Sequence, residues 1–211
     1  MAAIQQIMLA LGGAKPLPEF VSAGTPNRVS TTVNTLPAPS IRPDGSKLIA
    51  IMAHVSSGSS LVSIPSGFNL VASDNSGQNS YYVYEKTAAS ESGDYAFTWA
   101  NSGGNTGVVL CYQLGNTFTA GAVTKANSAT TTAPSISPTV SGVLLQIFYV
   151  EAATTVSTAP SGTQRSVYTG NSPSLAVYEI APSAAGATGD KTLVWSNSGQ
   201  NGGNLIQLTN E

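Results

Sequence analysis

The sequence predicts an all-β protein: an antiparallel sandwich, jelly-roll-like, built from two sequence-related halves behind a short N-terminal helix or arm. Three observations carry that expectation. Charged residues make up only 9% of the 211-residue chain, against roughly 25% in an ordinary soluble domain. Ser, Thr, Asn and Gly take their place, and these are turn formers and small hydroxyls rather than helix formers. Short apolar runs recur between clusters of Pro, Gly, Asn and Ser, as strand ends require. Finally, most of the chain repeats itself.

The chain opens MAAIQQIMLALGGAK. Ile4, Ile7, Met8 and Leu11 fall at i, i+3, i+4 and i+7, one apolar stripe at helical spacing. Gly12 and Gly13 would end such a helix, and Pro16 and Pro18 forbid its continuation. The stripe either packs on its own domain or is an arm, residues 1–26, that docks on a partner. No Lys or Arg precedes it and Gln5 and Gln6 interrupt it, so it lacks the form of a secretory signal. The expectation is a product made in the cytoplasm, with no membrane-spanning segment.

The body, residues 27–211, divides into a first repeat at about 30–116 and a second at about 125–210. PSIRPDGSKL from Pro39 resembles PSISPTVSGV from Pro134, a shift of 95. LIAIMAHV then matches VLLQIFYV at the same shift, which aligns His54 with Tyr149. VYEK at Val83 matches VYEI at Val177, and SGDYAFTWANSGGN matches TGDKTLVWSNSGQN. Strands are expected in order near 31–36, 48–55, 68–73, 80–86, 94–100 and 107–114. The second set is expected near 125–132, 143–152, 164–169, 174–180, 191–196 and 203–209. A period near 95 exceeds the ~20–50 residues of solenoid and propeller repeats. One body with pseudo-twofold symmetry is favoured over two tandem sandwiches.

The stretches WANSGGN and WSNSGQN read as duplicated scaffold hairpins. Trp99 and Trp195 would anchor strand ends by burying large rings. Asn101, Gly103, Asn197 and Gly199 would supply a turn through positive φ. Sugar-binding loops are the competing reading. In SYYVYE, Tyr81 and Val83 share one face, and Leu175 and Val177 stand in register with them in the sister stretch SLAVYE, which marks that face as core. Tyr82 and Tyr84 share the other, as an exposed interface, a ligand-stacking face, or ordinary sheet packing.

Few residues could carry chemistry. His54 and Cys111 are the only His and Cys, so no disulfide and no zinc spacing exists within the chain. His54 reads as a packed strand residue and Cys111 as a buried hydrophobe. Glu85 and Glu179 recur at matching sites, as do Asp94 and Asp190, which suggests framework roles rather than a glycosidase pair. Glu85 could pair beside Lys86 across strands. Asp74 stands alone in its loop, too little for a calcium site. A net charge of −2 without a basic block argues against nucleic acid. No catalytic residue, metal or cofactor is expected.

The order PSGF, YYVYEKTAASESGDYAFTW and GVVLCYQLG, followed by AAGATGDKTLVW, resembles a β-sandwich module of bacterial and phage proteins over about residues 30–210. Phe68 stands where that module usually has Trp, and Gln113–Gly115 where it has Arg-Gly. MAAIQQIMLALGGA is similar to the short N-terminal leaders of tailed-phage virion proteins. The resemblance implies a non-enzymatic structural protein of a phage particle: a tail, baseplate, fibre or capsid decoration component. It would be anchored to other virion proteins through the arm and would form a homo-oligomer. The alternative is a carbohydrate-binding module for a host-surface glycan.

Overall fold

A computed structural model of the protein describes residues 15–56 and 58–211. The expected N-terminal helix, with Ile4, Ile7, Met8 and Leu11, lies outside the described residues. Within them the chain is all strand and loop, with every strand pair antiparallel. The first half holds β1 (Glu19–Ala23), β2 (Asn27–Val29), β3 (Val33–Leu36), β4 (Lys47–Val55), β5 (Leu61–Ser63), β6 (Asn69–Asp74), β7 (Asn79–Thr87), β8 (Tyr95–Trp99) and β9 (Gly104–Gln113). The second holds β10 (Thr117–Ala120), β11 (Thr124–Ala133), β12 (Gly142–Val150), β13 (Val156–Thr158), β14 (Thr163–Tyr168), β15 (Ser174–Ser183) and β16 (Lys191–Thr209).

Two large sheets and one small one result. The first large sheet runs β1-β9-β4-β7-β6, with β2 also on β9. The second runs β10-β16-β12-β15-β14, with β11 and β13 also on β16. Thus β9, β4, β7, β6 and β16, β12, β15, β14 stand in the same order. The small sheet is β3-β8-β5.

The two large sheets face each other across one apolar core. Ile49, Ile51, Val83, Val108 and Leu110 of the first meet Leu145, Ile147, Val177, Ile206 and Leu208 of the second. The rings of Tyr81 and Tyr149 stack across the join, centroids 5.2 Å apart and 9° from parallel. The outer face of the first sheet is covered by the small sheet, with Leu36, Phe97 and Trp99 against Met52, Tyr82 and Val109. The outer face of the second is covered by the far ends of β11 and β16, where Ala133, Leu193 and Trp195 pack on Phe148, Ala176 and Tyr178. This face-to-face stacking is consistent with a β-sandwich. It also explains the long apolar runs: β4 and β12 are buried on both faces, so alternation with polar residues disappears.

Three expectations change. Residues 19–23, placed in the arm, form β1 at the edge of the first large sheet. The strands expected at 191–196 and 203–209 are one continuous strand, β16. The alignment of His54 with Tyr149 is one residue out. Ile49 sits between Glu85 and Leu110 on its ladders, and Leu145 sits between Glu179 and Ile206. The residue in Tyr149's ladder position is therefore Ala53, and Val150 is in that of His54. Because side chains alternate, a slip of one residue moves each of them to the opposite face.

Candidate functional site

The repeated Trp segments do not form hairpins. β8 ends at Trp99 in the small sheet, whereas β9, starting five residues later, belongs to the large one. In the second half β16 runs straight through Trp195 and Asn201, first against the far end of β11 and then against β12. Both segments carry the chain from an outer layer to a large sheet, a corner made by a bend rather than a reversal. Trp99 and Trp195 mark the outer side and are 1% exposed. Each pairs with a three-residue strand, Leu61 of β5 and Val156 of β13.

The glycines there serve close approach, not positive φ. A Cβ on Gly103 would lie 2.6 Å from the Val55 carbonyl oxygen, and one on Gly199 3.1 Å from that of Glu151. One on Gly202 would lie 2.3 Å from the Tyr149 hydroxyl. The last Asn of each motif clamps the corner. Asn105 donates Nδ2–H to the Thr31 carbonyl at 2.8 Å, between β2 and β3. Asn201 donates to Ser128 at 2.7 Å, beside the bulge of β11. Of the other two, Asn101 offers its carbonyl to His54 and Asn197 donates Nδ2–H to the Ala153 carbonyl.

Tyr82 and Tyr84 are not exposed. They are 7% and 8% accessible and lie under the small sheet, where Tyr82 meets Trp99 edge-on at 5.6 Å. The outer layer that covers them is invisible to a strand-by-strand reading, and burial raises both phenol pKa values. The face opposite, with Tyr81, Val83, Leu175 and Val177, lies in the central core.

His54 is fully buried against Trp99, ring centroids 4.4 Å apart. Its Nε2 lies 3.2 Å from the Asn101 carbonyl. A carbonyl only accepts, so Nε2 carries the hydrogen in that contact. Burial lowers the His54 pKa and the Asn101 contact opposes part of that shift. Cys111 is buried beside Ser46, its thiol pKa pushed up by burial. Leu48 faces Cys111 whereas His54 faces Asn105. That separation of six residues, roughly 20 Å of strand, keeps the two from acting as a nucleophile and base.

The acids are engaged in the frame. Asp94 and Asp190 accept from the backbone N–H of Ala38 at 3.0 Å and of Ser135 at 2.8 Å. Each follows a glycine at positive φ, Gly93 at 73° and Gly189 at 67°, the turn into β8 or β16. Glu85 pairs with Lys47 at 2.7 Å and accepts from Asn69. Lys86 turns instead to Glu91 at 2.8 Å, because neighbours along a strand point to opposite faces. Asp74 binds Lys125 at 3.0 Å and caps Ser76. Its burial alone would raise the pKa, and the Ser76 and Lys125 contacts outweigh it and lower it.

Glu179, 3% exposed, takes a two-pronged grip from Arg165 at 2.9 and 2.7 Å. It also accepts the Tyr112 hydroxyl. The Arg165 guanidinium lies over Phe20 of β1, 4.1 Å from the ring centroid. Sequence reasoning missed Arg165, Tyr112 and Phe20, which are far apart in the chain and meet only where the sheets pack. Among the described residues no group of three His, Cys, Asp or Glu is placed to hold a metal ion.

A groove of about 800 Å³ lies where residues 15–17 run beside Asn210 and Glu211. Pro16, Leu17, Val140, Pro182 and Ala185 supply its apolar lining, and Lys15 and Glu211 its charges. No family model, no curated protein and no solved structure matches this chain.

Proposed function

We propose that the chain is a non-enzymatic structural subunit of a tailed-phage particle, a tail, baseplate, fibre or capsid decoration component. Its body is a β-sandwich of two sequence-related halves, and its N-terminal segment attaches it to other virion proteins. It is made in the host cytoplasm and acts as one of many identical copies.

The observation that carries this reading is the paired use of carboxylates. Asp94 and Asp190 cap backbone at matching corners. Glu85 and Glu179 hold ion pairs at matching ladder positions, beside Ile49 and Leu145. A hydrolytic pair would be two acids across a cleft. Here each acid of the repeated pattern holds the frame, once in each half. The matching strand orders and the matching Asn clamps favour the two-halves reading in the same way.

Peptide mass spectrometry of purified particles tests the assignment, and the chain should appear in fixed stoichiometry with a structural protein. Release of sugar from a host polysaccharide, abolished by Glu85→Gln, would make it an enzyme. Binding on a glycan array, with no place in the particle, would make it a carbohydrate-binding module.

A further inference from the structure

We propose that the groove beside residues 15–17 and 210–211 is the seat of the protein's own N-terminal apolar stripe in the free subunit. The inference rests on the reading of that stripe as a docking element, and adds the surface that holds it before assembly.

The chemistry of the wall fits. Leu17 remains 37% exposed, and Pro16, Val140, Pro182 and Ala185 continue an apolar surface around it. The volume of about 800 Å³ lies within the ~300–1,000 Å³ of sites that enclose a compact apolar ligand. Lys15 and Glu211 are the charged members of the lining, and the rest of it is apolar or neutral, a surface suited to Ile4, Ile7, Met8 and Leu11.

The position selects the occupant. Lys15 and Pro16 are themselves part of the lining, and Asn210 donates Nδ2–H to the Pro16 carbonyl at 3.1 Å. The chain is thus pinned at the groove as it leaves toward residue 14. Leu11 stands four residues before Lys15 and Met8 seven, within roughly 13 and 23 Å of extended chain. Gly12 and Gly13 allow the reversal that would bring the stripe back over the wall. A segment tethered this closely reaches an effective concentration in the millimolar range. A second copy at ordinary concentrations could not match that, so the occupant is the chain's own segment. Incorporation into the particle then draws the stripe out of the groove onto a virion neighbour.

Disulfide trapping in the purified full chain tests this. Met8→Cys with Val140→Cys, oxidised at low micromolar protein, should close within one molecule and give a faster-migrating monomer on a non-reducing gel. Leu11→Cys with Ala185→Cys is a second pair. The control is Met8→Cys with Val62→Cys, since Val62 is 62% exposed on β5. The groove pairs should close at least about tenfold faster than the control, as expected of a preferred tethered contact. Both groove pairs closing no faster than the control would overturn the proposal. So would a dimer band that grows with protein concentration, which would put a second copy in the groove. No particle enters the assay, so its failure leaves the anchoring role to be decided separately by incorporation.

Discussion

Tyr112 of β9 donates its hydroxyl hydrogen to the carboxylate of Glu179 of β15, and that bond ties one large sheet to the other. Arg165 grips the same carboxylate from β14 and lies over Phe20 of β1. Removing the acid leaves the buried Tyr112 hydroxyl and the partly buried Arg165 guanidinium without their partner. Glu179→Ala should therefore cost about 3 kcal/mol, the low end for breaking a buried pair because Arg165 keeps some contact with water. Tyr112→Phe, which keeps the ion pair, should cost about 1–3 kcal/mol. Urea unfolding of both variants measures the order. Equal losses would show that the ion pair adds nothing beyond the phenol bond.

Gly202 is required by the stacked tyrosines. A methyl group there would meet the Tyr149 hydroxyl at 2.3 Å and force the ring away from Tyr81. Gly202→Ala should destabilise by about 1–3 kcal/mol, as overpacking does, and should change the near-ultraviolet tyrosine signal. Gly199→Ala, whose nearest contact is 3.1 Å, should cost less. Thermal melting with near-ultraviolet circular dichroism compares them.

The two tryptophans should respond differently to loss of the indole nitrogen. Trp195 donates Nε1–H to Thr131 at 2.9 Å, and Trp99 Nε1 has no partner among the described residues. Both Trp→Phe variants lose ring volume, but only Trp195→Phe strands the buried Thr131 hydroxyl. It should be the more damaging by about 1–3 kcal/mol. Denaturant titration followed by far-ultraviolet circular dichroism decides it, and a larger loss for Trp99→Phe would contradict the bonding described.

His54 makes stability fall with acid. Its folded pKa is lowered, chiefly by burial, so the unfolded chain binds the proton more readily. The stability tied to neutral His54 is complete above the unfolded value of about 6.5. It is lost as pH falls through that value toward the lower folded one. The melting temperature should drop between pH 7.5 and 5.5, roughly the window around that pKa. His54→Val, which places there the residue found at Val150, should flatten the drop. An unchanged slope in the variant would remove His54 as the cause.

Much of the fold is legible in the sequence, and the failures share one cause. β4 and β12 announce themselves as apolar runs, and Gly93-Asp94 and Gly189-Asp190 as turns into strands. The corner glycines mislead because Asn-Ser-Gly has the composition of a tight turn. What distinguishes a corner from a turn is the partner of the next strand, which is set by tertiary packing. Tyr82 and Tyr84 mislead because alternation implies one wet face, and here a further layer covers it. β5 and β13 escape notice because three residues carry no period, and each exists only beside its Trp. The Glu179 cluster could not be read at all, since Phe20, Tyr112 and Arg165 share no local pattern.

Removal of residues 1–15, with melting and particle incorporation measured on the same protein, tests most directly whether the N-terminal segment anchors the subunit. The stripe of Ile4, Ile7, Met8 and Leu11 is too short for a stable isolated helix, which needs ~12–15 residues. Its burial on a neighbour could contribute roughly 1.5–3 kcal/mol per side chain before ordering costs, repeated over many copies. The truncated protein should melt as a folded β body and no longer join the particle. Truncated protein that incorporates at the full-length level would contradict it.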